Sequence, residues 1–119
     1  MLSLIFIVGS KFFISIEAKY LSDFNYKKDI YTNKERIKIA SKEKKYSGIQ
    51  VLLITEKKWI GAKRQENKDT SNYVLLRDYI QNDTDIPFIV LFWEDIRELV
   101  RKKENMKEAY EFLSRMLSN

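Results

Sequence analysis

The sequence predicts an α/β domain built on a mixed sheet of four to five strands flanked by helices. Three observations carry this. Apolar runs of strand length alternate with amphipathic stretches of helical spacing, in the order ββαβαβα. The chain has 119 residues, the length of one domain spanning 1–119, and 45% of them are hydrophobic, enough for a single core. Only one proline and three glycines interrupt it, so no segment has the composition of a linker.

Residues 3–8 and 11–19 are rich in Ile, Phe and Val, and Gly9-Ser10 between them reads as the two-residue turn of a hairpin. Both runs are nearly continuous in apolar residues, which predicts a sheet centre covered on both faces. Thr32-Asn33-Lys34-Glu35 has the form of a capping box, so a helix is expected from Asn33 to about Lys45. Tyr46-Ser47-Gly48 ends it, and Ile49 to Thr55 forms the third strand. From Glu56 to Ser71 the chain is polar, with Trp59 and Ile60 continuing a short strand and the rest a loop. Ser71 or Asn72 caps a helix through about Gln81, with Val74, Leu75, Tyr79 and Ile80 inward. Pro87 opens a fourth strand, Phe88 to Trp93, whose apolar character predicts an internal position. From Glu94 a helix carries Ile96, Leu99 and Val100, then Met106, Ala109, Leu113 and Leu117, with Asn105 as the point of division.

The chain has no cysteine and no histidine. Disulfides, thiolate metal sites and imidazole bases are thereby excluded, and the lack of cysteine fits a reducing compartment. Catalysis falls to carboxylates, lysines, tyrosines, hydroxyls or a hard cation bound through oxygen, Mg²⁺ or Mn²⁺. The apolar run Leu2–Val8 is far shorter than the roughly 20 residues that span a bilayer. The expectation is a cytoplasmic protein with no membrane partner.

The chemistry concentrates at the end of the second strand, in Glu17-Ala18-Lys19. Side chains alternate along a strand, so Glu17 and Lys19 share a face and Ala18 points away. A carboxylate and an ammonium side by side, next to the Ala18 carbonyl, can hold one divalent ion and one activated water. The stretch Phe13–Asp23, FISIEAKYLSD, resembles the second half of the motif of PD-(D/E)XK nucleases, the restriction-endonuclease-like superfamily. A subgroup of these follows the E-x-K with Tyr and then Ser-Asp, as Tyr20, Ser22 and Asp23 do here. Val51–Glu56 and Val90–Ile96 look like the family's downstream strands and helix. The resemblance implies a restriction-endonuclease-like core and metal-dependent hydrolysis of DNA. It implies Glu17 and the Ala18 carbonyl as ligands of Mg²⁺ or Mn²⁺, with Glu17 and Lys19 as the catalytic pair.

Two departures from the family stand out. The aspartate expected on the preceding strand falls near Met1–Ile5, and no acid precedes Glu17. The following helix reads Asn33-Lys34-Glu35-Arg36, without the glutamine that related nucleases often carry there. Three explanations of the missing aspartate compete: a late start, migration of the ligand to Asp23, Asp29 or Glu35, and a degenerate relative that binds without cutting.

The net charge of +5 resides in one segment. Between Lys27 and Lys45 lie eight basic residues, Lys27, Lys28, Lys34, Arg36 and Lys38 among them, against three acids. A basic helix directly after the Glu-x-Lys strand suits a phosphate backbone. Tyr26, Tyr31 and Tyr46 add aromatic surface for stacking on bases. The alternative to a nuclease is a non-catalytic module that binds nucleic acid or protein. The aliphatic face of the last helix, and the dimers common among such nucleases, make a homodimer a further expectation.

Overall fold

The computed structural model describes residues 2–8 and 11–118, with side chains described at Ile5 and from Lys11 onward. Four strands form one sheet in sequence order: β1 (Leu2–Val8), β2 (Phe12–Ala18), β3 (Ser47–Ile54) and β4 (Phe88–Phe92). β1 lies antiparallel to β2, with Val8 opposite Phe12 and Ser3 opposite Glu17. β2, β3 and β4 are mutually parallel, Glu17 standing opposite Leu52 and Leu52 opposite Val90. The turn expected at Gly9-Ser10 lies outside the described residues.

This corrects the predicted sheet. Only three strands run parallel, and β1 joins them as an antiparallel edge. The parallel part of the sheet is three strands, not four to five, nothing in it indicates a restriction-endonuclease-like core, and the α/β description holds only coarsely. Among the described residues there is no fifth strand, because Trp59 and Ile60 lie in α2 (Glu56–Lys63). Thr55 explains the difference. It is extended, and its hydroxyl accepts the Lys58 amide at 3.3 Å, so the chain turns into a helix where β3 stops. Trp59 then stacks on Phe24, ring centroids 6.0 Å apart, instead of extending the sheet.

A second correction concerns layering. Phe13, Ser15, Glu17, Gly48, Gln50, Leu52 and Ile54 alternate onto one face and are buried. Leu52 and Ile54 meet Phe24, Tyr26, Ile30, Leu76 and Tyr79 from the helical layer, which forms the core. Gly48 belongs to this face for a steric reason. A Cβ there would fall inside the van der Waals surface of the Phe13 ring on the neighbouring strand.

The opposite face has no such layer. Phe12, Ile89 and Leu91 on it are 36%, 40% and 39% exposed, and Ile14, Ile16, Ile49 and Leu53 are half-buried. β4, predicted to be internal, is the edge strand of the sheet. The molecule measures 42 × 41 × 19 Å, the thickness of a sheet with one layer of helices.

The covering layer begins earlier than predicted. A π-helical turn, Tyr26–Ile30, opens it, and a 3₁₀ turn, Tyr31–Asn33, leads into α1 (Lys34–Lys38) and a further π turn, Ile39–Glu43. Asn25 is the cap, its side chain accepting the Lys28 amide at 3.0 Å. Thr32 does not cap; its hydroxyl donates to the Lys28 carbonyl at 2.7 Å. The run closes at Lys45, a non-glycine residue with φ of 55°, as Tyr46 N donates to Ala40 O at 2.8 Å.

α3 (Asn72–Asp78) starts at the Ser71 cap as predicted and passes into a π turn, Tyr79–Asp83. The last helix divides near Asn105 into α4 (Trp93–Arg101) and α5 (Lys107–Leu117), packed as a hairpin. Two bonds root this hairpin at the end of β2: Trp93 Nε1 donates to Lys19 O at 2.8 Å, and the Tyr20 hydroxyl donates to Met116 O. No helix among the described residues is long and apolar enough to cross a membrane.

Candidate active site

β2 sets Ser15, Glu17 and Lys19 on the covered face of the sheet, and β3 places Gln50 beside Ser15. Glu17 and Lys19 are therefore not at a solvent-facing edge. Each retains 5–6% of its surface. The Lys19 backbone is fixed on both sides: its amide donates to Leu53 O at 2.7 Å, and its carbonyl accepts the Trp93 indole.

The turn after Asn25 brings Asp29 over this pair. Asn25 N donates to Asp29 Oδ2 at 2.6 Å and Asp29 N donates to Asn25 O at 2.8 Å, a reciprocal brace that aims the carboxylate inward. Asp29 is 4% exposed and stands 3.0 Å from Lys19 Nζ, which is 4.0 Å from Glu17 Oε1. Two carboxylates thus share one ammonium in a dry setting. Such a cluster loses several kcal/mol of hydration per ion and recovers it only through close mutual contacts.

A polar network continues beside it. Tyr79 Oη donates to Gln50 Oε1 at 2.9 Å, and Gln50 Nε2 donates to Thr84 Oγ1 at 3.2 Å. Ser15, Glu17, Asp29, Asn33 and Gln50 line a cavity of about 10 Å³, the room of a single water. Ala18, whose carbonyl was the other expected ligand, is not among the residues that line it, and its side chain points to the other face as the alternation along β2 predicts.

The structure sorts the three candidate acids. Asp29 joins the site, whereas Asp23 is exposed and pairs with Lys58 at 3.2 Å, and Glu35 is exposed. Opposite Glu17, where a partner-strand aspartate would stand, the register puts Ser3. The fit of a divalent ion can be judged on this geometry. Mg²⁺ needs near-octahedral oxygen ligation and keeps several waters. Here the space between the two carboxylates holds an ammonium, and the adjoining cavity admits one water. Among the described residues no group of three or more acids gathers elsewhere. The residues as arranged do not fit Mg²⁺ or Mn²⁺.

The basic residues lie on the segment that covers the site. Lys27 and Lys28, beside Asp29 in the same turn, are exposed, as are Arg36 and Lys38. They do not form one row. Lys34 pairs with Asp83 at 3.4 Å and lies over the Tyr31 ring, while Lys38 shares a groove with Asp83 and Asp85. Tyr26 is a core residue against Tyr79, not a stacking platform. Burial first, then the nearness of Asp83, Tyr79 and Tyr31, pushes its phenol up to about 12, so it stays neutral at any working pH.

No family model, curated protein or solved structure matches the chain. None of the three comparisons indicates the PD-(D/E)XK superfamily.

The sequence singles out Glu17 and Lys19, which the structure places in one buried cluster, and gives no prominence to Asp29, Gln50 and Tyr79 beside them. The only sequence signal for Asp29 was its place among the candidate acids. The four-residue Asn25-to-Asp29 spacing, closed by the reciprocal brace ahead of the π turn, is what selects it.

Proposed function

We propose that this domain descends from a metal-dependent nuclease of the PD-(D/E)XK type and binds DNA without cutting it. The position of the Lys19 ammonium carries the reading. It stands between Asp29 and Glu17, where a hydrolytic site would hold its cation. An ammonium there balances charge but offers no Lewis acid to a phosphoryl oxygen. The exposed cations of the covering segment, Lys27, Lys28, Arg36 and Lys38, supply phosphate contacts that need no open pocket.

Fluorescence anisotropy with a labelled duplex of about 20 base pairs tests this. Four phosphate contacts give a salt slope near −3.6, so affinity falls roughly 100-fold between about 50 and 200 mM salt. Lys27→Ala with Lys28→Ala should reduce the slope by about 2. Binding that ignores salt, or no binding at all, overturns the proposal.

One observation favours a second reading, actual cleavage: Asp29 supplies the second carboxylate that β1 lacks. For that, Lys19 must leave Asp29 and the cavity must widen. Nicking of a plasmid in Mg²⁺ or Mn²⁺ that vanishes in Glu17→Gln would establish it.

A further inference from the structure

The uncovered sheet face and the C-terminal hairpin pose one problem. A sheet that is apolar on both faces must bury both, and an amphipathic helix pair is a natural cover. This sheet has one helical layer, and among the described residues the face left open carries no charge: Phe12, Ile14, Ile16, Ala18, Ser47, Ile49, Leu53, Ile89 and Leu91 occupy it around the buried Val51. The radius of gyration is 15.7 Å, against about 13.5 Å for a compact chain of this length.

The hairpin has the matching deficiency. Val100 and Leu113 are buried between its helices, yet Leu99, Met106 and Phe112 are 66%, 39% and 58% exposed. Its hydrogen bonds to the rest of the chain lie near the ends of β2 and β3, at Trp93, Met116 and Glu94.

We propose that the protein forms a twofold dimer in which the α4–α5 hairpin of each copy covers the open sheet face of the other. Area supports a second copy as the occupant. The exposed parts of Phe12, Ile89, Leu91, Leu99, Met106 and Phe112 amount to about 500 Å² per copy, so a reciprocal pair removes roughly 1,000 Å² from water, the threshold of a specific interface. The half-buried Ile14, Ile16, Ile49 and Leu53 add to that. Charge agrees. Residues 93–118 hold six acidic and six basic side chains, so the net +5 lies elsewhere and a neutral hairpin approaches an uncharged face. A twofold exchange also closes on itself, leaving neither patch free to propagate a fibre.

Sedimentation velocity on the full chain, from about 1 to 100 μM, provides the test. The expected result is a concentration-dependent species of twice the 14.3 kDa chain mass. Leu91→Glu on the sheet and Leu99→Glu with Phe112→Glu on the hairpin should each weaken association at least tenfold. Mixing the two variants should restore a heterodimer, since one intact hairpin then meets one intact sheet face. All three positions are exposed, and circular dichroism checks that the variants fold; Leu91→Thr and Leu99→Gln serve if they do not. A monomer across the whole range overturns the proposal. So does dissociation by the sheet variant alone, which means sheet-on-sheet packing, or by the hairpin variant alone, which means pairing of hairpins.

Discussion

The two faces of this sheet reverse the usual arrangement. The face under helices buries Ser15, Glu17, Lys19 and Gln50 among its apolar residues, while the face toward solvent, among the described residues, is apolar except for Ser47. Hydrophobicity alone would have chosen the other side to cover. The difference teaches that the covering segment was placed by specific contacts: Asp29 on Lys19, Tyr79 on Gln50 and Asn72 on the Tyr26 amide. Polar groups select the partner there, and apolar surface is left over for another.

The strongest way to break this contrast is to remove Lys19. Lys19→Met leaves Glu17 and Asp29 buried together, and should lower stability by about 3–5 kcal/mol in urea unfolding. Adding Glu17→Gln and Asp29→Asn to it should recover most of that loss. If the single substitution costs less than about 1 kcal/mol, the cluster does not hold the layer in place.

Gly48→Ala comes next. Its methyl collides with the Phe13 ring on the same covered face, and a loss of about 1–3 kcal/mol is expected in thermal or chemical unfolding. Lys45→Gly works in the opposite direction. Relieving the left-handed backbone at the end of the covering segment should raise stability by about 0.5–1 kcal/mol, seen as a higher denaturation midpoint. The smallest effect belongs to the open face. Leu91→Thr, measured at sub-micromolar concentration, should change stability by no more than about 0.5 kcal/mol. A large loss there would show that the face is packed after all.

Much of the chain order was legible in the residues. β2 to β4, the Ser71 cap and the division near Asn105 follow from apolar runs and turn chemistry. The sheet's layering was not, because continuous apolar runs in β2 and β3 conceal which face is covered. α2 was missed because its polar sequence lacks an apolar stripe, although Thr55 offered a cap. The capping box at Thr32 failed because Asn25 had already started the helical run seven residues earlier. At the site, Glu17 and Lys19 were visible as alternation along one strand. Asp29 was not distinguishable from Asp23 or Glu35, since its inward aim depends on a π turn and a backbone brace that no residue pattern announces.

The bond from the Trp93 indole to the Lys19 carbonyl has a practical consequence. The chain has only two tryptophans, and the other, Trp59, sits between Phe24 and Tyr73 away from the cluster. Replacing Trp59 with Phe would leave a single emitter attached to the very residue that bridges the carboxylates. Its emission maximum and quenching would then report, without any added dye, whether a nucleic acid, a cation or a second copy disturbs the ground beneath Lys19.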